Sequence, residues 1–211
     1  MGNGLLILGS ASPRRRELLS LLGVSFDVLV ASVDEAGLVD ADVVASVERT
    51  SIAKFEAFAA AYPELVGRRQ VLTADTLVAG PGAVLGKPGS DAEAEAMVRR
   101  LSSQELTIAS AVCFGAVGAT PARRTVTTTV RLRSLTDAEI AEYVATGAAA
   151  DKAGALELQG RAASFIDEVD GCWSNVVGLP LCATAELVGD AVSDGARWTP
   201  CSGRDCGPGR G

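Results

Sequence analysis

The spacing of apolar positions changes repeatedly along the chain, and the changes predict an alternation of strands and helices. Residues 5–8 form a short unbroken apolar run, as a buried strand requires, and Gly9-Ser10 makes a tight exit from it. Ser12 suits an N-cap and Pro13 the first position of the helix that follows through Leu22. Residues 26–31 are predicted as the next strand, leaving through the acidic loop Ser32-Val33-Asp34-Glu35. Between Asp42 and Tyr62, Val43, Val44, Val47, Ile52, Phe55 and Ala59 recur at a rough helical period that Pro63 ends. Residues 71–78 read as a strand interrupted by Asp75-Thr76, and Gly80-Pro81-Gly82 turns it into a short hairpin partner ending at Gly86-Lys87-Pro88. Asp91 is expected to cap a helix running to Leu101, and two long strands, 106–117 and 125–132, come next. Thr136 and Glu139 form a capping box that opens a helix to Val144. Residues 153–169 read as strand-like and rich in turns, and Pro180 starts a last helix through Val192. The organisation expected is one domain of generous size, or two lobes sharing a cleft, over residues 1–192, and a disordered tail over 193–211, where Gly, Pro and polar residues bury little.

Composition narrows the function classes. The 211 residues are 48% hydrophobic but only 4% aromatic, so the core must be aliphatic. A formal charge of −7 argues against broad nucleic-acid binding, so any phosphate site must be a local concentration of cations. The N-terminal aliphatic run is too short for a signal segment and lacks a basic stretch before it, and no later segment reaches membrane-spanning length without Gly or charge. A cytoplasmic protein with no membrane partner is expected. The chain has no histidine, which removes His-based metal sites, Ser-His-Asp and Cys-His catalysis, and leaves Asp, Glu and Lys as general bases. Cys113, Cys172 and Cys182 read as small buried hydrophobes, and Cys201 and Cys206 match no common zinc spacing.

Against that background a few polar residues stand out. The strand, Gly-Ser turn and helix start around Ser10 offer unpaired N–H groups and a positive dipole end, a natural seat for an anion. Arg14 and Arg15 fall in the first helical turn, where acids are the usual preference, and a bound polyphosphate would supply the missing negative charge. Asp75 sits in an apolar strand, where an unpaired carboxylate would cost several kcal/mol if buried. The plainer account of it is a carboxylate hydrogen-bonded to a neighbouring turn. Lys87, between Gly86 and Pro88, could present its ammonium to a phosphate; Lys54, taken alone, reads better as a solvent-facing helix lysine. Gln159, between Leu158 and Gly160, carries the donor and acceptor pair needed to read the edge of a base.

In order along the chain, Ser10-Ala11-Ser12-Pro13-Arg14-Arg15, Asp34-Glu35, Ala74-Asp75-Thr76, Gly86-Lys87-Pro88, Asp151-Lys152-Ala153-Gly154 through Gln159-Gly160, and Asn175-Val176-Val177-Gly178-Leu179-Pro180-Leu181 resemble the Maf family. The resemblance implies an α/β fold with a curved mixed β-sheet, flanking helices and a deep nucleotide-binding cleft between two lobes. It implies a nucleoside triphosphate pyrophosphatase, associated with septum formation, that releases a nucleoside monophosphate and pyrophosphate with a divalent metal, Mg²⁺ or Mn²⁺. Asp75 takes the role of the proton acceptor that activates water. Ser10, Arg14, Arg15, Lys54 and Lys87 take the substrate-binding roles, and Arg14, Thr76 and Gln159 those of substrate choice. Glu35 and Asp75 take the metal-handling positions. The Asp-Lys-Ala-Gly and Gln-Gly forms resemble the branch acting on dTTP and UTP. A homodimer is the candidate assembly.

Two departures from the family pattern stand in the sequence. Ser102-Ser103-Gln104-Glu105-Leu106-Thr107-Ile108 lacks a Gly and a His expected there, and Leu156 occupies the place of an aromatic residue. The rival from another class is a nucleotide-binding regulator of division that turns nothing over. A P-loop phosphotransferase is excluded by the lack of its Gly-Lys-Ser/Thr signature.

Overall fold

The computed structural model describes residues 6–35, 37–193 and 195–198. Its centre is a mixed sheet of seven strands. In spatial order these are β2 (Phe26–Val28), β1 (Leu6–Leu8), β3 (Gln70–Gly80), β5 (Glu105–Ala116), β6 (Ala122–Leu132) and β7 (Ile166–Asp170), with the short β4 (Ala83–Val84) paired to the end of β3. β1 runs parallel to both its neighbours and every other pairing is antiparallel. The predicted α/β class and mixed sheet are thus present, with helices on both faces.

The alternation of side chains across the pleat assigns each face its own core. Leu6, Leu8, Leu72, Ala74 and Val112 pack with Leu18, Leu19 and Leu22 of α1 (Pro13–Leu21) and with Leu181 and Val188 of α6 (Leu181–Val188). Ile7, Val71 and Cys113 point the other way, against Phe55 and Phe58 of α2 (Val43–Ala61). At the far end of the long strands, Leu106, Ile108, Val130 and Leu132 meet Val98 and Leu101 of α3 (Asp91–Leu101) and Ile140 and Val144 of α4 (Asp137–Ala145). That third cluster lies on the same side of β5 as the α1–α6 cluster, because residues 106, 108 and 112 share one face. Two hydrophobic cores therefore flank one stretch of sheet, and between them Thr76 on β3 is paired with Ser110 on β5.

Local signals account for most boundaries. Asp42 caps α2 by accepting from Val44 and Ala45 N–H at 3.0 Å each. The capping box on α4 is complete, with Thr136 accepting from Glu139 N–H while the Glu139 carboxylate accepts from Thr136 N–H. For α3 the cap is Ser90 and not Asp91: the Ser90 backbone is extended and its hydroxyl accepts from Glu93 N–H, which leaves Asp91 as the first helical residue, where its charge meets the positive dipole end. β2 stops at Val28 because its only partner, β1, is three residues long. Residues 153–165 form two short 3₁₀ turns (Ala153–Ala155 and Arg161–Phe165) instead of a strand, since Gly154 and Ala155 both take left-handed backbone, φ +64° and +60°, and reverse the chain. A further helix, α5 (Trp173–Val177), is too short for any period to announce it.

The expected tail begins as a docked segment. Ser193 and Arg197 donate backbone N–H groups to Leu22 and Leu21 carbonyls, at 3.2 and 2.7 Å, and Trp198 packs against the α1–α6 core. These bonds satisfy carbonyls that the end of α1 leaves without helical partners. The rest of the expected tail, with Cys201 and Cys206, lies outside the described residues. Of the other cysteines, Cys113 and Cys172 are buried and Cys182 is half-buried; burial pushes the Cys113 thiol up from its ordinary range.

Two stability predictions come from this framework. Ser103, where the family pattern has a glycine, turns from α3 into β5 with φ +60°. Left-handed backbone costs a side-chain-bearing residue about 1–2 kcal/mol, while glycine loses about 0.5–1 kcal/mol of chain entropy, so Ser103→Gly should stabilise by about 0.5–1 kcal/mol in denaturant unfolding. Glu139 bonds Arg133 and Thr136, which together hold its carboxyl down to about 2 from 4.5. A depressed folded-state value means stability that is present above the unfolded value and lost as pH falls through the folded one. Glu139→Gln should therefore be less stable than the parent at pH 7, with the gap closing between pH 4.5 and about 2.

Candidate active site

β1 ends at Leu8 and β3 runs on to Gly80, so between Leu72 and Val78, where the β4 hairpin takes over, one edge of β3 has no neighbour. Gly9 is the last point of contact, donating its N–H to Leu72 O at 2.8 Å. A Cβ there would come 2.9 Å from Thr73 Cγ2, so the close approach requires glycine. The chain then leaves the sheet through Ser10 and enters α1, which brings Arg14 and Arg15 over the exposed stretch of β3. Asp75 and Thr76 lie on that stretch and project to opposite faces. The candidate site consequently wraps around the strand edge.

On the α2 face, Asp75 is only 6% exposed. Its Oδ1 accepts from Lys54 Nζ at 2.5 Å, and the same ammonium is 2.9 Å from Glu35 Oε1. Asp75 Oδ2 is buried with no hydrogen-bond partner among the described residues. Lys54, which alone read as a surface lysine, is thus turned inward between two acids. The reason is that α2 packs along β3, with Thr73 Oγ1 donating to Ser51 O at 3.2 Å one turn before it.

On the other face, Thr76 Oγ1 meets Ser110 Oγ at 2.8 Å and Gly178 O at 3.2 Å. Arg15 closes this knot. Its Nε donates to Gly178 O at 2.9 Å, Nη1 to Ser10 Oγ at 3.4 Å and Nη2 to Thr76 Oγ1 at 3.2 Å. Burial pulls the Arg15 guanidinium below its ordinary range, opposed by the nearby charges of Asp75 and then Glu35. An arginine retains its proton in such a setting, so the two acids on the far side of the strand are felt by a fixed cation on this one. Gly178 is presented by α5, which Asn175 anchors by donating its amide to Ile108 O and Thr128 Oγ1 at 3.0 and 2.9 Å.

A cleft of about 180 Å³ opens beside this knot, between α1, β3 and the turn at 152–159. Arg14, Arg15, Thr76 and Gln159 all line it, as do Lys152 and Leu156, which the sequence did not single out as site residues. Arg14 Nη2 donates to Glu157 Oε1 at 2.9 Å, and the Gln159 amide lies against the same guanidinium with its oxygen toward it. Lys87 is exposed on the rim. Asp151 marks the same rim: its carboxyl is held below the ordinary range first by its hydrogen bond from Lys152 and further by the charges of Lys87 and Arg14. A larger groove of about 480 Å³, lined by Ile52, Phe55 and Pro121 among others, contains none of the predicted residues.

The profile of the Maf family, described as Maf-like protein, matches residues 5–191. The chain belongs to the Maf family. A dTTP/UTP pyrophosphatase of Moorella thermoacetica is 43% identical over 188 residues, 87% of this chain and 93% of that one. A protein of the same description from Syntrophus aciditrophicus is 40% identical, over 89% of this chain and 90% of that one. The Ham1 protein of Staphylococcus aureus superposes with a TM-score of 0.42 at 15% identity, over 60% of this chain and 71% of that one.

In this Maf chain the nine predicted residues fall into two groups around one strand edge. Lys54, Glu35 and Asp75 form an ionic cluster on the α2 face, and Ser10, Arg14, Arg15, Thr76 and Gln159 surround the cleft. Lys87 joins the second through its field at Asp151. Leu156, in place of the expected aromatic residue, is 6% exposed and packs in the α3–α4 core while one side borders the cleft. Glu157 could have been suspected from its charge in an apolar stretch, but nothing in the sequence pairs it with Arg14, which is 143 positions away.

The two arginines are set up differently, and stability should tell them apart. Arg15→Ala removes three charge-assisted bonds and leaves Gly178 O without its guanidinium donor, so a loss on the order of 2–4 kcal/mol is expected in denaturant unfolding. Arg14→Ala breaks a half-exposed pair and should cost less than about 1 kcal/mol. Equal losses would contradict the assignment of Arg15 as the residue that ties α1 to β3 and α5.

Proposed function

We propose that the chain is a nucleoside triphosphate pyrophosphatase that acts on dTTP and UTP. It hydrolyses the bond between the α- and β-phosphates and releases a nucleoside monophosphate and pyrophosphate. The observation that carries the reading is a single buried carboxylate with one oxygen locked and the other free: Asp75 Oδ1 is bound by Lys54, and Oδ2 has no partner among the described residues. The family membership and the dTTP/UTP pyrophosphatases that match along most of the chain support the substrate class.

In this reading the triphosphate lies at the start of α1, where the Arg14 N–H and the Ser10 hydroxyl meet its oxygens, the Arg15 and Arg16 N–H groups being bound to Ser12. Arg14, Lys54 and Lys87, with Lys152 beside them, offset the charge that grows on the leaving pyrophosphate. Cations fixed before substrate arrives cost no reorganisation during the reaction, and this preorganisation is the main contribution a phosphoryl-transfer site can make. Arg15 binds less directly, keeping the helix start against β3. Water attacks the α-phosphorus, its proton passes to Asp75 Oδ2, and the α–β bridging oxygen departs with the pyrophosphate. Lys54 keeps Asp75 aimed, and Glu35 keeps Lys54 between them.

A divalent cation, Mg²⁺ or Mn²⁺, suits this donor set. The Glu35 and Asp75 carboxylates would hold it, and phosphate oxygens and water would complete the shell, as Mg²⁺ with few protein carboxylates requires. Among the described residues no three acidic or cysteine side chains converge to hold a metal ion by themselves. When bound, such an ion acidifies coordinated water and neutralises phosphate charge.

Asp75→Asn keeps the size of the side chain but cannot take the proton. Pyrophosphate release from dTTP and UTP should fall by a factor on the order of a hundred or more, while triphosphate binding by calorimetry largely survives. Near-normal turnover in a folded Asp75→Asn protein would end the assignment.

A further inference from the structure

Glu157 takes no part in the hydrolytic reading, yet its carboxylate lies on a cation that does. Arg14 Nη2 donates to Glu157 Oε1 at 2.9 Å, and the two side chains are 34% and 24% exposed. One guanidinium nitrogen meets one carboxylate oxygen. The contact joins residues 143 positions apart, so it exists only in the folded cleft.

The pair is separate from what shapes the turn. Glu157 N–H donates to the Tyr143 hydroxyl at 2.9 Å, and that hydroxyl donates to Ala155 O at 2.9 Å from a residue that is 5% exposed. Both contacts use the main chain of the turn, so the carboxylate can leave Arg14 without unfolding it. A departing carboxylate finds water on its open side and the Arg161 N–H, which already donates to Oε2 at 3.4 Å.

We propose that Glu157 is an internal competitor for phosphate: its carboxylate occupies Arg14 while the cleft is empty, yields when a triphosphate enters, and takes Arg14 back when pyrophosphate leaves. A phosphate group offers several charged oxygens to the planar guanidinium, and a carboxylate with one oxygen engaged offers less, so the exchange favours the substrate. A half-exposed ion pair is weak, which lets the substrate displace it. The same pair still subtracts from the affinity of every ligand that needs Arg14. The inference rests on the assignment of Arg14 to phosphate in the pyrophosphatase reading and adds a brake on that cation.

The test is a double-mutant cycle read by calorimetry, with inorganic pyrophosphate as the probe, in the parent, Glu157→Gln, Arg14→Ala and the double variant. Glu157→Gln keeps the size of the side chain and removes its charge. It should bind pyrophosphate about two- to fivefold tighter than the parent, the range of a half-exposed ion pair, and its kcat/KM for UTP should rise with the affinity. In the Arg14→Ala background the gain should disappear, because the contested cation is gone. A gain of the same size in both backgrounds means that Glu157 acts only through its field, and overturns the inference. Weaker binding to Glu157→Gln overturns it as well, since the carboxylate would then be aiming Arg14 at phosphate instead of withholding it. So does unchanged binding, or no binding to either protein. If Glu157→Gln does not fold, Glu157→Ala takes its place in the cycle with the same expected gain. A protein that follows the expected binding pattern but releases no pyrophosphate from any triphosphate keeps the inference and overturns the hydrolytic reading.

Discussion

Everything in this site depends on two strands of unequal length lying side by side. β1 is three residues long and β3 is eleven, so the parallel pairing ends while β3 is still in the middle of the sheet. Where a central strand loses its neighbour, both of its faces can be reached around one edge. The helix start that follows β1 is delivered to that edge because Gly9 can touch Thr73 and because Arg15 reaches across to Gly178 and Thr76. A carboxylate on one face and a cleft of about 180 Å³ on the other can then belong to one site. Parallel strands also put the carboxyl end of β1, with the helix start after it, at the opening, the general place for ligands in such sheets.

The same geometry explains how an acidic protein gathers cations. With a net charge of −7 it cannot hold polyphosphate by its overall field, and three of the cations near the cleft are each matched to an acid. Lys54 sits between Asp75 and Glu35, Arg14 against Glu157, and Lys152 against Asp151. Such pairing keeps the cations in place before a substrate arrives and limits their mutual repulsion. It also means that a phosphate would bind by exchanging partners, so the acids help to set how strongly each cation is available. Arg15 differs, since its partners are a carbonyl and two hydroxyls; its charge is balanced only at a distance.

Between the two cores on one side of the sheet, the polar contact of Thr76, Ser110 and Gly178 interrupts what would otherwise be a continuous hydrophobic face. Leu72, Ala74 and Val112 lie on one side of it, and Leu106, Ile108 and Val130 on the other. The two lobes are separated by that strip of hydrogen-bonding groups, and the cleft opens where neither core has side chains to fill it. The twelve-residue β5 spans both lobes, so they share one rigid floor.

The sequence by itself determined the elements whose causes are local. Caps at Ser12, Asp42 and Thr136, the apolar run of β1, the period of α2 and the punctuation at Pro63 and Gly80-Pro81-Gly82 act within a few residues and could be read directly. The motif residues were also legible, because their types and order are set by the chemistry they suit. Segments whose shape depends on distant partners were not. β2 is cut short by the length of β1, the stretch after Lys152 folds into 3₁₀ turns anchored by Tyr143, and Ser193 and Arg197 are held by the end of α1. Only the tertiary structure turned Lys54 inward, separated the roles of Arg14 and Arg15, and brought Glu157 to Arg14. The physical reason is the same each time: a charged side chain takes its orientation from the opposite charge it can reach, and folding brings that charge from another part of the chain.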